Sequence, residues 1–177
     1  LNTLYFNIPQ SRERVVILCK RKDIGELTPL PKISKDNIKE THLETILEIN
    51  PNKKYNINGK MKIAEEVWDE FLTICNKNKI NIPKFPIWTD WWDKDIIDDI
   101  NMYNKYTNWI NKNKEFYNNH KNLMQPWLHN SRQKQLWKGA LRKMEWQTGQ
   151  NNLTMKEVLW SPRGSGIRIK KCNYSPT

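Results

Sequence analysis

The spacing of apolar and polar positions predicts a short series of elements. Arg14 to Arg21 holds five consecutive apolar residues, three of them β-branched. That run is too short for a stable helix and predicts a buried strand. Two prolines between Thr28 and Lys32 mark its exit. Thr41, with Glu44 three residues on, forms a capping-box pattern and predicts a short helix over His42 to Ile49. Asn50 to Lys60 is polar and reads as a loop. Met61 to Asn76 carries Ile63, Val67, Phe71 and Ile74 at helical spacing, with Ala64, Trp68 and Cys75 beside them. A proline-bounded turn, Asn81 to Pro86, leads to Ile87-Trp88-Thr89-Asp90-Trp91-Trp92. Tyr103 to Lys121 is a third helix, with Tyr106, Trp109, Ile110, Phe116 and Tyr117 as its inner face. Pro126 suits the first turn of a further helix holding Trp127 and Leu128. Gly149 to Asn152 is a turn. Thr154 and Glu157 form a second capping box that predicts a short helix. Gly164 to Lys170 reads as a glycine turn entering a strand.

Composition narrows the class. A length of 177 residues suggests one domain, or one and a part. Nine Trp, six Tyr and four Phe argue against a disordered basic tail, although the mean hydropathy is −0.86. No apolar run is long enough to span a membrane. The start at Leu1, without an apolar leader, reads as a cut piece rather than a secreted precursor. Cys19, Cys75 and Cys172 are odd in number and far apart, which fits neither a disulfide framework nor a zinc site and suggests a reducing compartment.

The net charge of +11 is unevenly placed. Residues 1–120 carry 19 basic and 17 acidic side chains; residues 121–177 carry 11 basic and only Glu145 and Glu157 as acids. Such a one-sided field points to a polyanion, nucleic acid above all. A solvated basic face shaped by A- and T-rich codons accounts for the same excess, since Lys outnumbers Arg 23 to 7.

Independent chemistry is sparse. His42, His120 and His129 stand at no metal-ligand spacing. Cys19 and Cys75 read as core thiols, and Cys172 has no evident base. The five Asp between Asp90 and Asp99 suit a solvated face better than a cation loop, because ligand spacing and a turn glycine are missing. No phosphate-cradling glycine loop occurs. On these residues alone the chain reads as a binding module rather than a complete enzyme.

One motif is more specific. Ile8-Pro9-Gln10-Ser11-Arg12-Glu13-Arg14, followed by the strand Val15 to Leu18, resembles a signature of the cytosine-C5 DNA methyltransferases, in which a Gln-x-Arg-x-Arg segment leads into a strand of the catalytic sheet. Further stretches resemble one subgroup: Phe85 to Trp88, a helix around Trp109 to Tyr117, the turn Glu145 to Gly149, and Arg163 to Lys170 followed by Tyr174 to Thr177. A charged turn before a strand is the plainer reading of the first motif.

The resemblance implies a fold, an activity and site residues. The fold would be α+β: C-terminal edge strands of a Rossmann-like catalytic domain over residues 1–35, a mostly helical, irregular target-recognition domain over 36–160, and a segment returning to the catalytic domain over 161–177. The activity would be methyl transfer from S-adenosylmethionine to cytosine in duplex DNA, with the target base rotated out of the helix. Arg12 and Arg14 would be the motif's two arginines, donating to the cytosine and flanking phosphates, with Gln10 lining the pocket. DNA contacts would come from Arg132, Gln133, Lys134, Lys138, Arg142, Lys143, Gln147, Arg163 and Arg168, for each of which a solvated-surface role stands beside the recognition role. The tryptophans would serve as core more than as stacking platforms.

The family's Pro-Cys-Gln nucleophile, Phe-x-Gly-x-Gly cofactor loop and Glu-Asn-Val segment are missing from this sequence. The stretch alone is therefore expected to be inactive and to bind no cofactor. Its expected partners are double-stranded DNA and the rest of a methyltransferase, with no membrane. The expected setting is the cytoplasm and nucleoid, or a nucleus or viral factory. An RNA cytosine methyltransferase and a non-catalytic DNA-binding subunit of a split enzyme are the alternative readings.

Overall fold

A computed structural model describes residues 8, 14, 15, 17–28, 43–93 and 100–172. The chain divides into two compact units, Leu1–Ile49 with Cys172–Thr177, and Asn50–Lys171.

In the first unit the described residues of the expected strand are not in a strand. Arg14, Val15 and residues 17–21 form no ladder, and Val15 and Ile17 are 89% and 80% exposed. A strand is held by hydrogen bonds from a neighbouring strand, and the described residues of this unit supply none. A single 3-10 turn, Leu43–Ile46, stands where a helix to Ile49 was expected. Ile46, Leu47 and Ile49 are exposed, so no packed face supports further turns. Gln10, Arg12, Thr41 and Tyr174 to Thr177 lie outside the described residues, as do residues 29–32 and 94–99.

The second unit holds three helices and a four-stranded sheet. Helix α1 spans Gly59–Lys77. Its buried face is Ala64, Val67, Trp68, Phe71, Leu72 and Cys75, with Ile63 and Ile74 half-buried at its margins. Helices α2 (Ile100–Asn119) and α3 (Lys121–Gln133) are separated only by His120, whose ψ of 22° interrupts the helical path. Because α3 begins this early, Pro126 lies inside the helix rather than in its first turn. The missing N–H leaves the carbonyl of exposed Asn122 to solvent.

The strands are β1 (Ile87–Trp88), β2 (Lys143–Trp146), β3 (Val158–Arg163) and β4 (Gly166–Lys171), in the order β1-β2-β4-β3. β2 and β4 run parallel; the outer pairs are antiparallel. Strand β4 stands where the glycine turn predicted it, whereas β1, β2 and β3 were not expected. Half of the second capping box forms: the Thr154 N–H and hydroxyl donate to Glu157 Oε2 at 2.9 and 2.8 Å, while the Glu157 N–H donates to the Thr154 carbonyl at 3.2 Å. It closes a turn rather than starting a helix, because Val158-Leu159-Trp160 favours a strand and Pro162 bars a helix.

Alternation along the strands divides the sheet into two faces. Ile87, Met144, Trp146, Ile167 and Ile169 are at most 5% exposed and point into the core. There they join an aromatic cluster centred on Trp68, whose ring lies 5.6–6.0 Å from those of Phe71, Trp127 and Trp137. The Trp68 indole N–H donates to the Leu141 carbonyl at 2.9 Å.

Candidate nucleic-acid interface

The opposite sheet face is cationic. Register places Trp88 beside Lys143, Glu145 beside Arg168, Ser161 beside Arg168, and Leu159 beside Lys170. Arg163 pairs with Gly166 on the same side. Among the described strand residues, Lys143, Arg163, Arg168 and Lys170 thus share one face with a single carboxylate, Glu145. That carboxylate accepts from Arg168 Nε at 3.1 Å and from Gln147 Nε2 at 3.2 Å. Among the described residues neither Lys143 nor Lys170 has a carboxylate partner.

Gly166 fixes the course of Lys143. Its φ is +133°, and a Cβ there would stand 2.9 Å from the Lys143 carbonyl oxygen and 3.0 Å from Lys143 Cγ. Only glycine lets β4 begin this close to β2. The lysine stem crosses the glycine and brings its ammonium to 4.7 Å from the Trp88 ring centroid.

A second group of basic residues is committed inward. Arg132 holds Asp93 through two nitrogens, one at 2.8 Å, and reaches the Thr89 carbonyl at 3.3 Å. Arg142 pairs with Asp90 at 3.2 Å, donates from Nε to the Trp137 carbonyl at 2.9 Å, and lies over the Trp137 ring. Lys134 pairs with Glu70 at 3.0 Å. Gln133 is within 3.0 Å of the His129 ring. The basic last third of the chain thereby neutralises acids of the acidic stretch and of α1. Beneath this network the Tyr117 hydroxyl is pushed above its usual pKa, first by burial and then by Asp93, with Arg132 opposing.

The structure therefore brings Lys143, Gln147, Arg163 and Arg168 together on the sheet and places Arg132, Gln133, Lys134 and Arg142 in a separate bracing network. Lys138 is exposed in the segment between α3 and β2. Lys170 was overlooked, although the alternation Ile167-Arg168-Ile169-Lys170 puts it on the same face as Arg168. Arg14 is exposed and outside regular structure. Cys75 is buried and its thiol is pushed up to about 12 by desolvation, which makes it inert. Among the described residues no group of His, Cys, Asp and Glu could hold a metal, and no helix is long and apolar enough to cross a membrane.

This arrangement can bind phosphates through a row of cations on a rigid sheet, with flanking amides for base edges. The family model for C-5 cytosine-specific DNA methylase matches residues 1–160. The chain belongs to the C-5 cytosine-specific DNA methylase family. No curated protein and no solved structure matches it. Members of this methylase family use S-adenosylmethionine and act on DNA. The glycine hairpin is not a cradle for that cofactor: Gly164 and Gly166 turn β3 into β4, and the space a Cβ would need at 166 is filled by Lys143.

Proposed function

We propose that this methylase-family chain is the target-recognition part of a DNA cytosine-C5 methyltransferase, and that the cationic sheet face lies along the duplex backbone. Methyl transfer from S-adenosylmethionine belongs to the complete enzyme. Gln10, Arg12 and Arg14 are its cytosine-side residues, by their place in the Gln-x-Arg-x-Arg motif. The observation that carries the reading is the gathering of Lys143, Arg163, Arg168 and Lys170 on one face of the sheet, where Glu145 is the one carboxylate among the described strand residues. Lys138 and Gln147 flank that face as further contacts. Arg132, Lys134 and Arg142 act one step back, bracing the end of α3 against Asp93, Glu70 and Asp90. Gln133 reaches outward beside them.

Duplex binding measured across a salt series tests this. The chain should bind at low salt, and Lys143→Gln and Lys170→Gln should each lower the log–log salt slope by about one phosphate contact. No retention on duplex DNA at low salt, or unchanged slopes in both variants, refutes it. Tighter binding to a structured RNA than to the duplex moves the reading to an RNA methyltransferase. In the complete enzyme, Arg14→Ala should abolish methylation and leave the fold intact.

A further inference from the structure

Six of the nine tryptophans are buried: Trp68, Trp91, Trp92, Trp127, Trp137 and Trp146. Trp160 packs against the core. The remaining two, Trp88 and Trp109, converge on one patch of surface at the β1 edge of the cationic sheet face. Tyr106 links them: its ring lies 5.9 Å from Trp88, edge to face, and 5.6 Å from Trp109, stacked at 14°. Trp109 remains 40% exposed. An indole this open on a helix that could bury it is surface the fold has not used.

The patch is rigid. Asn113, 1% exposed, accepts from the Trp88 N–H at 2.7 Å and from the Trp92 indole at 3.2 Å. Its amide donates to the Pro86 and Trp109 carbonyls, each at 2.9 Å. All its hydrogen-bonding positions are filled, and they tie α2 to β1 at the residues that carry the two indoles. The patch is also cationic. Lys143 Nζ lies 4.7 Å from the Trp88 centroid and 6.0 Å from that of Trp109, and Lys105 Nζ lies 5.3 Å from that of Tyr106. Among the described residues neither lysine has a carboxylate partner. Lys105 and Lys112 bracket Trp109 at helical spacing, four residues before and three after.

We infer that Trp109, with Tyr106 and Trp88, forms a stacking platform for an unpaired nucleobase, whose adjacent phosphate takes the Lys143 ammonium from the rings. Stacked aromatics supply the apolar face that a base offers, and the lysine supplies the charge that its phosphate needs. The ammonium lies within about two base steps of the rings, at ~3.4 Å per step along a strand. A duplex keeps its bases inside and gains little from such a face; a bulged, extruded or single-stranded base gains directly. The inference deepens the reading of the sheet as a nucleic-acid surface and rests on it for the direction of the strand.

The test uses three probes: a blunt duplex, the same duplex with a central three-nucleotide bulge, and a single-stranded oligothymidylate. Trp109→Ala should weaken the bulged and single-stranded probes at least about fivefold and the blunt duplex less than about twofold. Trp109→Phe, which keeps a ring, should stay within about twofold of the parent chain on all three. Binding of oligothymidylate should quench tryptophan emission in the parent chain and less so in Trp109→Ala. Circular dichroism should be unchanged, and Lys143→Gln, which leaves every ring in place, should weaken the single-stranded probe as well. Equal losses on all probes, or none on oligothymidylate, overturn the platform. Blunt-duplex binding that is indifferent to Trp109, with no preference for unpaired bases, leaves the sheet reading standing and removes this one. Oligothymidylate binding that depends on Trp109, without duplex binding, does the reverse.

Discussion

The two units use apolar residues in opposite ways. Nine of the fourteen exposed large apolar side chains among the described residues belong to the first unit, among them Val15, Ile17, Leu18 and Ile49. In the second, Trp68, Phe71, Trp127 and Trp137 meet ring to ring and are at most 4% exposed. The difference lies in what each element needs from its neighbours. A helix such as α1 closes its own backbone hydrogen bonds and asks only for a surface to cover its apolar stripe. A strand needs another strand before its side chains can be buried. Under the proposed function the sheet of a complete methyltransferase would cover these exposed side chains.

The sharpest way to test the contrast is with thiols. Cys19 is exposed, whereas Cys75 is buried in the core of the second unit. A thiol pushed up to about 12 is about one part in 10,000 thiolate at pH 8. A disulfide-exchange reagent should therefore label Cys19 at least about a hundredfold faster than Cys75, and denaturant should abolish the difference. Similar native rates would mean that the second unit opens as readily as the first.

Trp68→Ala should be the most damaging single substitution in the core. It removes a fully buried indole and strands the Leu141 carbonyl, for a loss of about 3–5 kcal/mol in urea unfolding. A loss below about 1 kcal/mol would show that the aromatic cluster collapses freely around the gap.

Glu157 offers a smaller effect with a definite sign. Hydrogen bonds from the Thr154 backbone and hydroxyl hold its pKa below the ordinary 4.5. The folded form thus favours the charged carboxylate, and this contribution is complete above the ordinary glutamate value. It is lost as pH falls through the lowered one. The urea midpoint should fall slightly more between pH 5 and pH 3 in the parent chain than in Glu157→Gln; parallel curves would deny the box any role.

Smallest of all should be Ile17→Lys. The side chain is 80% exposed, so unfolding of this chain should shift by no more than about 0.5 kcal/mol. A large loss would mean that Ile17 is packed in solution and that the two units differ less than their surfaces imply.

What the sequence disclosed follows the same division. Helix α1 was legible because its stripe repeats over 19 residues, and β4 because a glycine turn opens a clean alternation. β1 and β2, with two and four residues, are too short for a period to register and exist only through their pairing. β3 was obscured by a capping-box pattern whose Thr154–Glu157 contact closes a turn that leads to a strand. The basic residues were easy to find and hard to sort. Arg132, Lys134 and Arg142 find their carboxylates 39, 64 and 52 positions away, a distance at which no local pattern speaks. Trp109 was assigned to the inner face of its helix by periodicity, but the turn of α2 that Asn113 anchors leaves it outward.

The partition of the cations reaches beyond binding strength. The charges that brace the fold are chiefly guanidinium groups: Arg132, Arg142 and Arg168 each hold a carboxylate. Those facing outward without such a partner, Lys105, Lys143 and Lys170, are primary amines. An amine-selective chemistry such as acetylation would therefore strip the outward charge and leave the bracing pairs largely in place. Apart from Lys134, which pairs with Glu70, and Arg163 on the sheet face, the second unit keeps the charge that resists modification for its own architecture and exposes the kind that can be switched off.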